Sequence, residues 1–523
     1  MKKKILIIIS IFLVIFFASK NISYAKENMK SGQLTGALQT GSLLDTNDEV
    51  KLLKNYSSAE ATIKKGIDGF KRPINITKYK LTPNDISIVV SRILNKNPKY
   101  FYVGQYYQYQ YNKYGYITNL YLSYLYPKSE LKTYEKAVQN VLSGIKSSWT
   151  DFEKVMYVND YLALNCEYDT TYQNYNAYNV FVNKIAVCQG YSLAFIELMN
   201  RLGIECEMVT SSELWHAWNA VKINKKWYYV DTTWDDPVPN MIGYAGHNNL
   251  LKSQTYFDKN GHKASDYQFT STAISKKSFK NKTYDNYFWE NIGSPFVYYG
   301  GYWYTNDSNS NSIRKYKASS TGLKYTSTEK KESMLLARGI SIVGNKLYYA
   351  TVARPDMYET YVYEYDLKTK KNKVIDPYPN SLGYMSSILM STDGYLYFDW
   401  IQDGSTDQYK KKLHSHSYQT STKVATTKVN GSITTTCKKC GYVKKKTTIY
   451  YPKTIKLSKT SYKYNGKVHK PSVTVTDSKG KKVSSKDYKV TYSKGCKKKG
   501  TYTVTITFKN NYSGTVKKTF KIK

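Results

Sequence analysis

Val187-Cys188-Gln189-Gly190-Tyr191-Ser192 runs directly into Leu193-Ala194-Phe195-Ile196-Glu197-Leu198-Met199-Asn200-Arg201-Leu202-Gly203. Apolar residues recur there at three- and four-residue spacing and the run stops at a glycine, which predicts a helix capped at Gly203. Cys188 then stands at the helix start, where backbone N–H groups lack intrahelical partners and the positive dipole end favours a thiolate. The same N–H groups suit a developing oxyanion. A thiol so placed is a candidate nucleophile, although a buried free cysteine is also ordinary core material.

Three strand-like runs follow, at 205–210, 217–223 and 226–232, the last two joined across Asn224-Lys225. His216 opens the second run and Asp231 ends the third. Asp235 and Asp236 compete with Asp231 for a place beside the histidine, but Asp235-Asp236-Pro237 reads as a turn, whereas Asp231 closes a strand. Tyr191, Trp215 and Trp218 flank these positions, either lining a substrate channel or packing its walls. A cysteine, a histidine and a carboxylate in this order make cysteine-centred acyl transfer the leading chemistry.

Three segments carry a family resemblance: Val187-Cys188-Gln189-Gly190-Tyr191-Ser192, Trp215-His216-Ala217-Trp218-Asn219-Ala220-Val221 and Trp227-Tyr228-Tyr229-Val230-Asp231-Thr232-Thr233-Trp234-Asp235. In order, spacing and aromatic flanks they resemble the signature segments of the bacterial transglutaminase-like superfamily, over roughly 150–240. The resemblance implies a papain-like α+β core with the nucleophile at a helix start against an antiparallel sheet. It also implies a triad: Cys188 attacks an amide carbonyl, His216 moves the proton and Asp231 orients the imidazole. No cofactor is required for that chemistry.

The chain opens with Lys2-Lys3-Lys4, an apolar run over 5–18 and Ser23-Tyr24-Ala25, the pattern of a secretory signal cleaved after residue 25, with an uncleaved anchor as the alternative. Cleavage would leave a protein that is not integral to the membrane and is secreted or associated with the cell wall. The net charge of +39 then points to anionic cell-wall polymers or membrane surfaces as partners and away from nucleic acid, with a plain solubility surface as the alternative. Six cysteines in 523 residues are too few for a disulfide scaffold.

Residues 26–50 are polar and read as a flexible leader. An N-terminal α+β region over 51–147 combines helical stretches (57–70, 82–94 and 129–145) with a tyrosine-rich hairpin, 100–111 and 116–126, closed across Asn112-Lys113-Tyr114-Gly115. The catalytic core is placed at 148–270, its first helix announced by capping-box spacing of Thr150 and Glu153.

Between 290 and 405 three segments resemble one another, Gly301-Tyr302-Trp303-Tyr304, Gly344-Asn345-Lys346-Leu347-Tyr348-Tyr349 and Asp393-Gly394-Tyr395-Leu396-Tyr397-Phe398, and indicate a blade-like β domain. Residues 411–450 form a Cys-x-x-Cys linker module holding His414, His416, Cys437 and Cys440. A structural zinc ion on His416, Cys437 and Cys440 is its metal reading, and an oxidised or idle cysteine pair is the alternative. Period-two strands over 452–523 indicate a small immunoglobulin-like sandwich, similar to lysine- and tyrosine-rich modules of bacterial surface proteins.

The expected function is an exported transglutaminase-like thiol enzyme that takes an acyl group from a protein or peptide amide and passes it to an amine or to water at the cell envelope. Two alternatives stand beside it: a cysteine peptidase or amidase on wall or protein peptides, and a non-catalytic surface-binding protein using the fold as a scaffold.

Overall fold

The computed structural model describes residues 29–33, 46–270, 278–352, 359–378 and 383–523. The expected export signal over 1–25 and most of the expected leader over 26–50 lie outside the described residues. The chain divides into two compact units.

The first unit comprises residues up to 147, then 165–233 and 249–287. Its N-terminal elements are β1 (Met29–Gln33), α1 (Thr46–Asp68), β2 (Ile74–Asn75), α2 (Pro83–Lys96), β3 (Val103–Tyr111), β4 (Ile117–Tyr124) and α3 (Glu130–Ser143). Tyr56, Ala59, Ile63 and Ile67 of α1 are buried at helical spacing. Thr82 and Asp85 close a capping box at the start of α2, whose buried stripe is Ile86, Val89, Val90 and Ile93. The expected tyrosine hairpin is β3–β4, and the sheet runs β1-β3-β4-β2. One expectation is corrected here: Met29–Gln33 falls inside the supposed flexible leader but pairs antiparallel with β3 from Met29↔Gln110 to Gln33↔Tyr106. An edge strand of this kind draws its order from a partner far along the chain, so local polarity does not reveal it.

The remainder of this unit follows α4 (Asp151–Asn165): β5 (Glu167–Tyr168), β6 (Ile185–Ala186), α5 (Cys188–Leu202), β7 (Cys206–Ser211), β8 (His216–Ile223), β9 (Lys226–Val230), the single turn α6 (Thr232–Asp235), β10 (Leu250–Lys252), α7 (Gln254–Lys259) and β11 (Gln268–Phe269). Gly203 caps α5 in the left-handed region at φ 72°. The antiparallel sheet runs β10-β9-β8-β7-β11, and α5 packs on β8 and β7. Asn219 on β8 donates from Nδ2 to the carbonyl of Ser192 on α5 at 3.1 Å, fixing helix to sheet.

The second unit comprises 148–164, 234–248 and 288–523. The core therefore does not run unbroken over 148–270. Helix α4, with its expected Thr150–Glu153 capping box, belongs to the second unit because its buried polar groups are satisfied there. Glu153 accepts from Trp303 Nε1 at 2.8 Å. Asp160 accepts from His247 Nε2 at 2.9 Å and from the Phe296 amide at 2.7 Å. Likewise, residues 51–147 do not form a separate region but belong to the unit that carries Cys188.

Three antiparallel meanders follow: β12 (Val297–Tyr299), β13 (Tyr302–Asp307), β14 (Ser312–Ser319) and β15 (Gly322–Lys331); then β16 (Leu335–Leu336), β17 (Ser341–Val343), β18 (Lys346–Val352), β19 (Thr360–Asp366) and β20 (Asn372–Tyr378); then β21 (Tyr384–Met390), β22 (Tyr395–Gln402) and β23 (Ser405–Lys412). Gly301, Gly344 and Gly394, all at positive φ, precede β13, β18 and β22. Thus the three similar sequence segments occupy equivalent hairpin turns in consecutive sheets. The supposed linker over 411–450 is instead mostly a further meander, β24 (Tyr418–Lys423), β25 (Gly431–Cys437) and β26 (Val443–Ile449). Its alternating Thr and Lys residues mask a strand pattern because few of its side chains are buried.

The C-terminal sandwich sets β27 (Pro452–Leu457) and β29 (Val473–Asp477) beside a sheet of β28 (Ser461–Tyr462), β32 (Thr515–Ile522), β31 (Gly500–Phe508) and β30 (Tyr488–Tyr492). Val475, Val504, Ile506 and Phe520 fill its core. Among the described residues, no helix is long and apolar enough to cross a membrane.

Candidate active site

Cys188 is the first residue of α5 and is 3% exposed. The chain reaches it through β6, which pairs in parallel with β5 so that Tyr168 lies opposite Ala186. The loop after β5 is organised by Asp169, whose carboxylate accepts from the amides of Thr171, Gln173 and Asn174. Those bonds hold its carboxyl below the usual range against the opposing effect of burial. Asn174 in turn accepts from the Val187 amide at 2.9 Å, immediately before the cysteine. Gly190 is required by this close approach: a Cβ there would lie 2.7 Å from the Ala186 side chain and 3.3 Å from the Asn176 carbonyl oxygen.

His216 begins β8 and Asp231 directly follows β9. Asn219 pairs with Val230, which brings the carboxylate alongside the start of β8. His216 Nε2 donates to Asp231 Oδ2 at 2.6 Å, and the imidazole is also hydrogen-bonded to the Cys188 thiol. Nε2 is committed to the carboxylate, so Nδ1 serves the sulfur. The structure therefore brings the three expected residues together in the first unit.

Burial depresses the basicity of His216, but Asp231 and then Cys188 outweigh it and raise the pKa to about 10. Burial likewise opposes ionisation of Asp231, yet His216 and His262 together hold its carboxyl well below the ordinary range. An imidazolium between a thiol and a carboxylate is the charge arrangement that stabilises a thiolate.

His262 was given no role by the sequence reading. It is fully buried and donates from Nε2 to the same Oδ2 of Asp231 at 2.8 Å. Its ring stacks on Phe257 of α7 at 4.0 Å, and its amide donates to the Phe257 carbonyl. Position 262 follows a short helix in a polar loop, and only the scarcity of histidine, six in the chain, would have marked it. Tyr168 was also missed. Burial first, and then the proximity of Cys188, push its phenol up to about 12, so it stays a neutral donor near the nucleophile.

The aromatic substrate candidates separate. Tyr191 and Trp218 are both buried to 1% exposure, in keeping with the packing alternative of their reading. Trp218 stacks against His216 at 5.7 Å. Trp215, at φ 49° beside His216, is 72% exposed and is the one of the three that presents a surface to solvent. A cavity of about 400 Å³ opens in the same unit, lined among others by Tyr106, Leu125, Asn174, Asn176, Gln189 and Leu193, with no charged side chain in its wall.

The metal-ligand candidates lie in the second unit. His416, Cys437 and Cys440 converge there as expected, and His414 joins them; the four ligand atoms lie within 4.8 Å of one another.

Residues 137–232 match the family model of the Transglutaminase-like superfamily, and residues 470–523 match that of the Bacterial Ig-like domain (group 3). No curated protein matches the chain. Similar solved structures include a candidate cysteine protease from Cytophaga hutchinsonii, at 20% identity over 21% of this chain and 40% of that one with a TM-score of 0.18. Others are a TGase, at 17% identity over 36% and 54% with a TM-score of 0.20, and TolB from Acinetobacter baumannii, at 15% identity over 40% and 60% with a TM-score of 0.16. The chain thus spans less than two thirds of the length of each of these three. It is a multidomain protein with a transglutaminase-like α+β core at 137–232 and a bacterial Ig-like domain at its C-terminal end.

Proposed function

We propose that this protein is an exported thiol enzyme that removes the acyl group of a protein or peptide amide and hands it to an amine or to water. The observation that carries this reading is the hydrogen-bonded series Cys188, His216, Asp231, with the thiol at a helix start. In the first half-reaction the Cys188 thiolate adds to the amide carbonyl. The tetrahedral oxyanion faces the N–H groups of the first turn of α5, and Tyr168 is the further donor. Collapse expels the amine, which takes the proton held by His216, and leaves a thioester. In the second, an incoming amine or water gives a proton to His216, attacks the thioester and releases the thiolate. The triad supplies nucleophile, base and orienting group, so the reaction calls for no cofactor.

The uncharged cavity beside α5 is lined by Gln189, the neighbour of Cys188, but by no member of the triad, and supports a neutral polypeptide segment flanking the scissile amide. The export pattern over 1–25 and the bacterial Ig-like module support action outside the cytoplasm. The charge of +39 supports retention on anionic wall polymers. Incubation with a labelled primary amine and a glutamine-rich protein tests the chemistry. Label in the protein supports transfer, and amide loss without label supports hydrolysis. Equal turnover by the Cys188→Ala variant would sink both. Retention by isolated walls that is insensitive to salt would contradict the electrostatic tether.

A further inference from the structure

We propose that His414, His416, Cys437 and Cys440 form a structural zinc site that locks the β24–β26 meander onto the blade-like sheets. This is independent of the catalytic reading. A Zn²⁺ ion with Zn–S of about 2.3 Å and Zn–N of about 2.0–2.1 Å at tetrahedral angles sets S···N edges at about 3.5 Å and an N···N edge at about 3.3 Å. Here Cys437 Sγ lies 3.5 Å from His414 Nε2, Cys440 Sγ lies 3.5 Å from His416 Nδ1, and the two nitrogens are 3.1 Å apart. Those distances match three of the six edges of such a tetrahedron, and all four ligand atoms lie within 4.8 Å of one another.

The outer contacts orient the donors. His416 Nε2 lies 2.7 Å from the Thr392 carbonyl, which can only accept, so the proton sits on Nε2 and Nδ1 turns a lone pair to the centre. The amides of Lys439 and Cys440 donate to Cys437 Sγ, and that of Tyr442 donates to Cys440 Sγ. Gly441, at φ 74°, returns its amide to the Cys437 carbonyl at 3.0 Å and closes a tight knuckle. Both cysteines are buried in the cluster that holds Tyr348, with Leu413, Tyr418 and Tyr442 packed against it, while the two histidines are half-buried. Two thiolates with two imidazoles select zinc over the hard cations calcium and magnesium.

The site also explains two of the three repeated glycines. A Cβ at Gly344 would fall 1.9 Å from the Cys440 carbonyl oxygen, and one at Gly394 would fall 2.0 Å from that of His414. Asn345 and His414 complete the seats, the Asn345 amide donating to the Cys440 carbonyl and the His414 amide to that of Gly394, each at 3.1 Å. The turn before β18 thus receives the cysteine knuckle, and the turn before β22 receives the histidine pair. One ion joins the histidine pair to the cysteine knuckle, two segments seated on the turns before β18 and β22. Binding displaces the two thiol protons to solvent, leaving a neutral S₂N₂ centre.

The test uses the full secreted chain. Metal analysis of the reduced protein after dialysis with Zn²⁺ should give one zinc per chain, and Co²⁺ in its place should give thiolate-to-metal charge-transfer bands and tetrahedral d–d bands. The Cys437→Ser/Cys440→Ser double variant should lose both signals while Cys188, in the other unit, still reacts with iodoacetamide. The proposal is overturned by a reduced wild-type chain that retains no zinc, or by an octahedral cobalt spectrum without thiolate bands. Zinc content unchanged in the double variant, or a Cys437–Cys440 disulfide in the protein as secreted, overturns it equally. The wild-type cobalt spectrum decides the matter even where the double variant does not fold.

Discussion

His262 Nε2 donates to Oδ2 of Asp231 at 2.8 Å, the same oxygen that receives His216 Nε2 at 2.6 Å. One carboxylate oxygen thus anchors both the His216 imidazole and a second, fully buried ring. A hydrogen bond to a charged group contributes about 1.5–3 kcal/mol, so losing this anchor should slow turnover by roughly 10- to 100-fold. His262→Phe should show that loss. It should also move the alkaline limb of the rate profile upward, because an Asp231 relieved of His262 holds the His216 proton more tightly. A rate loss with an unmoved limb would assign His262 to packing alone.

Tyr168 gives a prediction about the oxyanion. Removing one donor from such a site costs roughly 10²–10³ in kcat. Tyr168→Phe should therefore lower kcat within that range while leaving the alkylation rate of Cys188 near wild type. Parallel loss of both would mean that the phenol supports the thiolate and not the oxyanion.

The cavity beside α5 predicts a split between binding and chemistry. Tyr106 is exposed on β3 and lies in the cavity wall. Tyr106→Ala should raise KM for a peptide donor several-fold with kcat unchanged, as expected for lost uniform binding. Unchanged KM for every peptide tried would remove the cavity from the reaction.

In the second unit, Asp160 and His247 form a buried pair with a structural consequence. His247 also donates from Nδ1 to the Ile292 carbonyl at 3.0 Å, so both its nitrogens face acceptors and the ring is an imidazolium. Burial opposes that charge, but Asp160 raises its pKa above the ordinary 6.5. The stability so gained is fully present below about pH 6.5 and is lost as pH rises through the elevated folded value. Breaking such a pair from one side costs about 3–5 kcal/mol. Denaturant unfolding of Asp160→Ala should show that cost at pH 6 and a smaller one at high pH; a pH-independent difference would contradict it.

The triad was legible because its three members lie within one short stretch and each carries a local signal: a helix start, a strand start and a strand end. His262 was not, since its contact with Asp231 depends on how the loop after α7 folds back, and nothing periodic marks that loop. His414 was left out of the expected zinc ligands because His414-x-His416 does not have the usual half-site spacing. In the proposed site the two rings would use different nitrogens, Nε2 of His414 and Nδ1 of His416. The blade segments were visible as repeated Gly-aromatic turns, whereas the division of the core was hidden. Helix α4 reads locally like any amphipathic helix, and its membership is decided by Trp303, Phe296 and His247, each more than 80 positions away.

In the proposed function, His216 holds Cys188 as a reactive thiol. The most direct measurement is the rate and stoichiometry of iodoacetamide labelling between pH 6 and 10.5, with the modified residue located by peptide mapping, in wild type and in His216→Ala. Wild type should label once per chain, at Cys188, at neutral pH. The rate should change near pH 10, where the imidazolium beside the sulfur is titrated. His216→Ala should lose the neutral-pH reaction. Equal labelling of the two proteins at neutral pH, or labelling at cysteines other than Cys188, would contradict the account.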